Sequence, residues 1–234
     1  MEAEDDGSAE SVIESDRTVR LRAALLMARQ GEAAVLTREI ANRFYSNETS
    51  LVLRRDLWER YAVAHPSADI HLRLLETRDF NQVIRERPRR LPVLLANIPD
   101  CYVAATSAGE LAFMVWVVSS EDWPRFKCHF KGDLWRPLRP DECLFEFAYT
   151  FKKFRAQGVM AASLNLIADR LYAERRWLRW AYNFVRKENV PSLKGCRKAG
   201  FAPIMLRHEQ WRALHLRQSF DVLPPGTTYP FEHK

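Results

Sequence analysis

Residues 145–171 read FEFAYTFKKFRAQGVMAASLNLIADRL, and this stretch decides the fold. Aromatic and apolar residues crowd its first six positions, as a strand inside a core requires. From Gly158 the spacing changes. Met160, Leu164, Ile167, Ala168 and Leu171 fall on one helical stripe. A strand therefore hands over to a helix between Thr150 and Gly158. The first turn of a helix has N–H groups without partners inside the helix, and it carries the positive end of the dipole. A glycine there lets a ligand approach the main chain closely. Lys152, Lys153 and Arg155 add positive charge at the lip. Such a junction suits a phosphate or diphosphate.

Upstream, CYVAAT and LAFMVWVV are two strand-like runs around SAGE, the clearest hairpin pattern in the chain. IHLRLLETRD, from residue 70, reads as a strand and a polar turn. Residues 80–99 carry a helical pattern interrupted by Pro88 and Pro92. A long loop over residues 119–140, rich in Trp, Pro and Lys, leads into the strand ECLFEFAYT. Downstream, RWLRWAYNFV reads as a strand. NVPSLKGCRKAG reads as a short helix with Asn in front and Gly behind. FAPIML and WRALHLRQSF form a closing pair of strands. The order is mixed α/β. Residues 1–16 read as a disordered acidic tail. Residues 17–66, two helical patterns and the strand-like SLVLRRDL, read as an N-terminal helical extension packed on the main domain, residues 67–234.

The composition fits a folded globular chain. Hydrophobic residues make up 47%, and no apolar run reaches about 18 residues, so no membrane-spanning helix is expected. The acidic start is no secretory signal, and a cytoplasmic location is expected. Seven acids and no base occupy the first sixteen positions; the net charge is +6 overall and +13 without them. A basic body points to an anionic partner. Cys101, Cys128, Cys143 and Cys196 form no CxxC pair, so neither a metal site nor a disulfide framework is expected. Cys128-His129 lacks the second ligand pair of a zinc site. WLRWAYNFVRK interleaves aromatics with cations, as nucleic-acid-binding surfaces do. Its aromatics alternate as in a buried strand, however, and no groove-reading motif accompanies them.

A second constellation follows the glycine junction. Asn189 closes a strand, Ser192 comes three positions later, and the next helix ends in Gly200-Phe201. In this order the two motifs resemble those of the GNAT superfamily of acyl-CoA N-acyltransferases. That family carries R/Q-x-x-G-x-G/A after its fourth strand, then N-x-x-S/A, then a Gly-Phe that opens its sixth strand. The resemblance covers roughly residues 70–220. It implies an α/β (α+β) fold with a mixed, mostly antiparallel central sheet, splayed between the fourth and fifth strands and flanked by helices. It also implies acetyl-CoA or another acyl-CoA as co-substrate, no metal, and direct acyl transfer to the amine of a small-molecule or peptide acceptor. An acyl carrier protein is an alternative, acidic donor. By the same resemblance, main-chain groups of Ala148, Tyr149 and Thr150 pair with pantetheine. Arg155, Gln157, Gly158, Val159, Met160 and Ala161 line the pyrophosphate loop, and Asn189 sits beside the pantetheine arm, with Ser192 in the following helix start. Met160 departs from the family's Gly or Ala. Cys196 stands where the family often has a tyrosine that protonates the CoA thiolate.

Amide formation from a thioester needs a base to free the amine and a donor for the oxyanion. Glu146 is the candidate base. Strand alternation puts it on one face with Ala148 and Thr150 unless a bulge intervenes. Glu142 has the same parity. Cys196 is the candidate acid, with an unperturbed thiol pKa of about 8.5, and a main-chain N–H on the same strand is the expected oxyanion donor. Two other readings stay open: a catalytically inactive acyl-CoA-binding protein, and a basic nucleic-acid-binding protein.

Overall fold

A computed structural model of the chain describes residues 37, 41–62, 66–87, 94, 100–127 and 135–232. The acidic tail, the helical patterns before residue 37 and Cys128-His129 lie outside the described residues. The chain divides into two compact units, one of Met1–Asn42 with Thr77–Ile98, the other of Arg43–Glu76 with Pro99–Lys234. In the first, a 3-10 turn, Thr77–Asp79, runs into helix α1, Phe80–Glu86, which buries Val83.

The second unit holds eight strands among the described residues. They are β1 Tyr45–Asp56, β2 His71–Leu74, β3 Cys101–Ala105, β4 Leu111–Ser119, β5 Glu142–Thr150, β6 Trp180–Arg186, β7 Ala202–Arg212 and β8 His215–Val222. Its helices are α2 Trp123–Lys127, α3 Val159–Glu174 and α4 Val190–Lys198. The strands form one sheet in the order β2-β3-β4-β5-β6-β1-β7-β8. Every pairing is antiparallel except β5 with β6. The mixed, mostly antiparallel sheet with flanking helices is therefore as expected, and β5 and β6 are its one parallel pair among the described strands.

The sequence explains this arrangement. β3 is buried throughout and β4 along all but its last residue, as uninterrupted apolar runs dictate for central strands. α3 lies on β2 to β5. Its buried stripe includes Leu164, Ile167 and Leu171, each fully covered and each contributing about 1.5–3 kcal/mol of hydrophobic stabilisation. The two faces of the sheet differ. One meets α3 and α4: Phe145 packs edge-on to Phe201 at 5.8 Å, and Asn183 reaches Cys196. The opposite face carries Glu142, Glu146, Tyr182 and Phe184, with Trp135 packed over the last two aromatics.

Two expectations change. The extension over residues 17–66 does not stay outside the sheet: its SLVLRRD belongs to β1, which lies between β6 and β7. Leu51, Val52 and Leu53 are at most 2% exposed, the burial of a central strand. Arg55 on β1 is also buried. Its guanidinium donates to Asn165 Oδ1 on α3 at 2.6 Å and to the Ala199 carbonyl at the end of α4 at 2.7 Å. Burial lowers its pKa to about 10. The closing strands also divide differently. β7 runs on to Arg212 and the turn is Ala213-Leu214, at φ 46° and 70°. That is the left-handed pair a two-residue hairpin needs, without the Asn-Gly that announces it. No helix among the described residues is long and apolar enough to cross a membrane.

Candidate active site

β5 and β6 pair only over Glu142–Phe145 and Trp180–Asn183. Both strands continue, to Thr150 and Arg186, without further pairing to each other. The cause lies in β5. Trp116 and Met114 on β4 are two residues apart and share a face, yet their partners Glu146 and Tyr149 are three apart. One extra residue has entered β5, and Phe147 there stands at φ 57°. Such a bulge bends its strand, so β5 leaves β6 just past Phe145. The main chain of Glu146 to Thr150 thus has an edge toward β6 that no strand covers. The bulge also resets the parity: Glu146 shares a face with Tyr149, not with Ala148 and Thr150 as simple alternation had it.

Beyond β5 the chain makes a 3-10 turn, Lys152–Phe154, and reaches Gly158 at φ 76° immediately before α3. This left-handed conformation is open to glycine at little cost. The turn is tied from outside. Gln157 Nε2 donates to the Lys153 carbonyl at 2.8 Å, and the Gln157 carbonyl accepts the Ser67 N–H at 3.2 Å. Arg155 folds back on β5, donating to the Thr150 carbonyl at 3.3 Å and the Tyr149 hydroxyl at 3.2 Å. Lys153 pairs with Glu110. Two of the three cations expected at the lip therefore tie the loop to its neighbours, Arg155 to β5 and Lys153 to the turn before β4. The N–H groups of Val159, Met160 and Ala161 open the helix, where no intrahelical acceptor exists. The Val159 and Ala161 side chains are buried. Met160 turns toward α4, where a side chain on Gly195 would begin 2.8 Å from the Met160 sulfur. The methionine thus lies in a notch left by a glycine, and its bulk stays off the loop.

α4 opens at Asn189, whose Oδ1 accepts the Ser192 N–H at 3.3 Å, with Pro191 in the first turn. Ser192 lies in the first turn of α4. Cys196, one turn on, is fully buried, and Asn183 Nδ2 approaches its sulfur at 3.8 Å. Burial pushes the thiol up to about 12. A covered thiol of that kind is a poor acid, which counts against the role expected for it.

The two carboxylates of β5 differ. Glu142 is fully buried and receives both Arg136 Nη groups at 2.7 Å, the Arg139 N–H at 2.9 Å and the Tyr182 hydroxyl at 3.0 Å. Burial alone would raise its pKa; the hydrogen bonds and the guanidinium charge outweigh that and hold it at about 2. Glu142 is a structural anion. Glu146 is half-buried at the point where strand pairing ends, and takes the Phe147 N–H at 3.3 Å. The Phe147 ring stands edge-on to Trp116 at 5.9 Å and near Phe126 at 5.5 Å. On β6, Phe184 lies against Trp135 at 5.6 Å. Sequence reasoning found Glu146 but missed Phe147, whose backbone conformation leaves no mark in the sequence. It also missed Gly195, which a glycine inside a helical pattern could have revealed. Among the described residues no group of three or more His, Cys, Asp or Glu could hold a metal.

The sequence matches no protein-family model and no curated protein. Solved structures match the fold. A GCN5-related N-acetyltransferase from Sphaerobacter thermophilus superposes with a TM-score of 0.50 at 14% identity, over 77% of this chain and 57% of that one. A Drosophila protein superposes with a TM-score of 0.51 at 10% identity, over 82% and 57%. The chain thus spans a little over half the length of these neighbours. A bulged strand, a parallel pair that splays and a glycine at the following helix start all sit on one sheet of matching topology. The chain has the GNAT fold.

Proposed function

We propose that the protein is an N-acyltransferase that moves an acetyl or longer acyl group from acyl-CoA directly to an amine. The observation that carries this reading is the coincidence of two features: β5 parts from β6 after Phe145, and the left-handed Gly158 starts a helix at the end of that same strand. An extended amide-bearing arm fits the first and a diphosphate fits the second. Main-chain groups of Ala148, Tyr149 and Thr150 would pair with pantetheine. The N–H groups of Gly158, Val159, Met160 and Ala161 would hold the diphosphate, with Arg155 and Gln157 bracing the loop and Asn189 and Ser192 beyond the arm. An acyl carrier protein presents the same pantetheine thioester, and the basic chain suits it.

Glu146 would take a proton from the ammonium, directly or through a water, to give the neutral amine. The nitrogen lone pair attacks the thioester carbon, the C–N bond forms, and a main-chain N–H of β5 beyond Phe147 would donate to the developing oxyanion. The C–S bond then breaks. The departing thiolate takes the second nitrogen proton through solvent, because the buried Cys196 is set aside as acid. The products are an amide and free CoA. Calorimetry with CoA, acetyl-CoA and a long-chain acyl-CoA tests the cofactor class, and release of free thiol with an amine panel tests turnover. Micromolar binding with amine-dependent thiol release is expected; no binding to any of the three would overturn the reading. The burial of Cys196 favours one alternative, an acyl-CoA-binding protein without turnover, which binding without thiol release would identify. The nucleic-acid reading has less support: Tyr182 is buried and Trp180 is covered by Arg54 at 4.2 Å.

A further inference from the structure

The bulge in β5 does something unusual with neighbouring residues. In an unbroken strand Glu146 and Phe147 would point to opposite faces. Here Glu146 is the register partner of Trp116, and the Phe147 ring also meets Trp116. A carboxylate and an aromatic ring are thus delivered side by side on the face away from α3 and α4. The backbone pays for this: Phe147 sits at φ 57°, a left-handed conformation that disfavours a bulky side chain and that glycine or asparagine would adopt more easily. Strain of this kind persists where the side chain is needed.

The other lip of the opening has matching chemistry. The parallel register brings Phe145 level with Asn183, so Glu146 is level with Phe184 where pairing has stopped. Phe184 is half-exposed between Trp135 and the Arg207 guanidinium, which lies 4.7 Å from its ring centre. Among the described residues, the cations on this face at that level, Arg207 and Arg186, already hold carboxylates: Glu209 at 2.6 Å and Glu48 at 2.7 Å. An acceptor carboxylate entering here would meet Glu146 and two committed ion pairs. An ammonium would meet Glu146 and the faces and edges of aromatic rings, which attract cations. Beyond Glu146 the two lips offer a body attached to that nitrogen mainly aromatic surface, Phe147 and Trp116 on one side and Phe184 and Trp135 on the other.

We infer that the acceptor is a primary amine carried on a flat apolar body, with no carboxylate beside the nitrogen. Its nitrogen lies at Glu146 and its body between Phe147 and Phe184. This rests on the acyltransferase reading above. The test uses the full chain, acetyl-CoA and four amines: tryptamine, tryptophan, glucosamine and spermidine. Product amide is measured by mass and CoA by free thiol. Tryptamine is expected to show kcat/KM at least tenfold above each of the other three. Phe147→Ala and Phe184→Leu should each raise its KM about tenfold while leaving the dissociation constant for CoA unchanged; a thermal melt shows that each variant is folded. Equal or better use of tryptophan, glucosamine or spermidine overturns the inference. So does CoA binding with no reaction of any of the four, and so does an unchanged KM in both folded variants. Failure of CoA to bind at all is a different result, because it removes the acyltransferase reading itself.

Discussion

At the residue scale the site turns on a few atoms with contrasting surroundings. Glu146→Gln keeps shape and removes the base. It should lower kcat/KM by roughly 10²–10⁴-fold and flatten the acidic limb of the pH–rate profile, while CoA affinity stays put. Stopped-assay kinetics from pH 5 to 9 would show it, and an unchanged profile would exclude Glu146 as base. Gly158→Asp puts a side chain on a residue at φ 76° and a negative charge where the diphosphate would sit. CoA affinity should drop by at least tenfold, with a loss of stability on the order of 1–2 kcal/mol; calorimetry and urea unfolding separate the two. The Met160–Gly195 notch makes a sign prediction. A glycine inside a helix costs about 1 kcal/mol relative to alanine, so Gly195→Ala should stabilise by about that much once Met160→Ala has cleared the space. In the native background the methionine sulfur at 2.8 Å should cancel most of the gain. Additive effects in a double-mutant cycle would show that the notch does not couple the helices. The local geometry of Gly158, Asn189 and Ser192 was legible beforehand, because a glycine before an apolar helical stripe and an Asn three residues before a Ser are local signals. What Cys196 does was not: its burial depends on Asn183 and on packing that no spacing encodes.

At the scale of elements, β5 has a fixed half and a released half. The fixed half is pinned by Glu142. Its folded pKa of about 2 lies below the ordinary 4.5, so the stability it adds is fully present above pH 4.5 and is lost as pH falls through 2. The contribution is on the order of 3 kcal/mol. Urea unfolding at pH 6 and pH 3 should show the native chain losing stability between those values. Glu142→Gln should be weaker at pH 6 and lose much less on acidification; a parallel loss in both would rule out the buried pair with Arg136 as the cause. The released half begins at Phe147. Strand alternation gave the existence of β5 but could fix the facing of Ala148 and Thr150 only in the absence of a bulge, since an inserted residue changes hydrogen-bond register without changing the apolar pattern. The turn at Ala213-Leu214 escaped for a related reason: tertiary pairing of β7 and β8 imposes a left-handed pair on residues that do not prefer it.

At the scale of the whole molecule, β1 is the departure from the expected plan. A domain beginning at residue 67 would lack the strand that joins β6 to β7. A chain of residues 67–234 alone should fail to fold, leaving two bare strand edges. Circular dichroism and size exclusion would check this, and a soluble monomer with a cooperative melt would show β1 to be dispensable. Hydrophobic periodicity found the strand SLVLRRD but could not place it, because its partners lie far along the chain.

That placement has a consequence for synthesis in the cell. β1 is the earliest described strand to leave the ribosome, yet it pairs with Trp180–Arg186 and Ala202–Arg212, made roughly 120 residues or more later. At about 5–20 residues per second, its greasy triplet Leu51-Val52-Leu53 waits for several seconds with nothing to join. The nascent polypeptide should therefore be a chaperone client until its last fifth emerges.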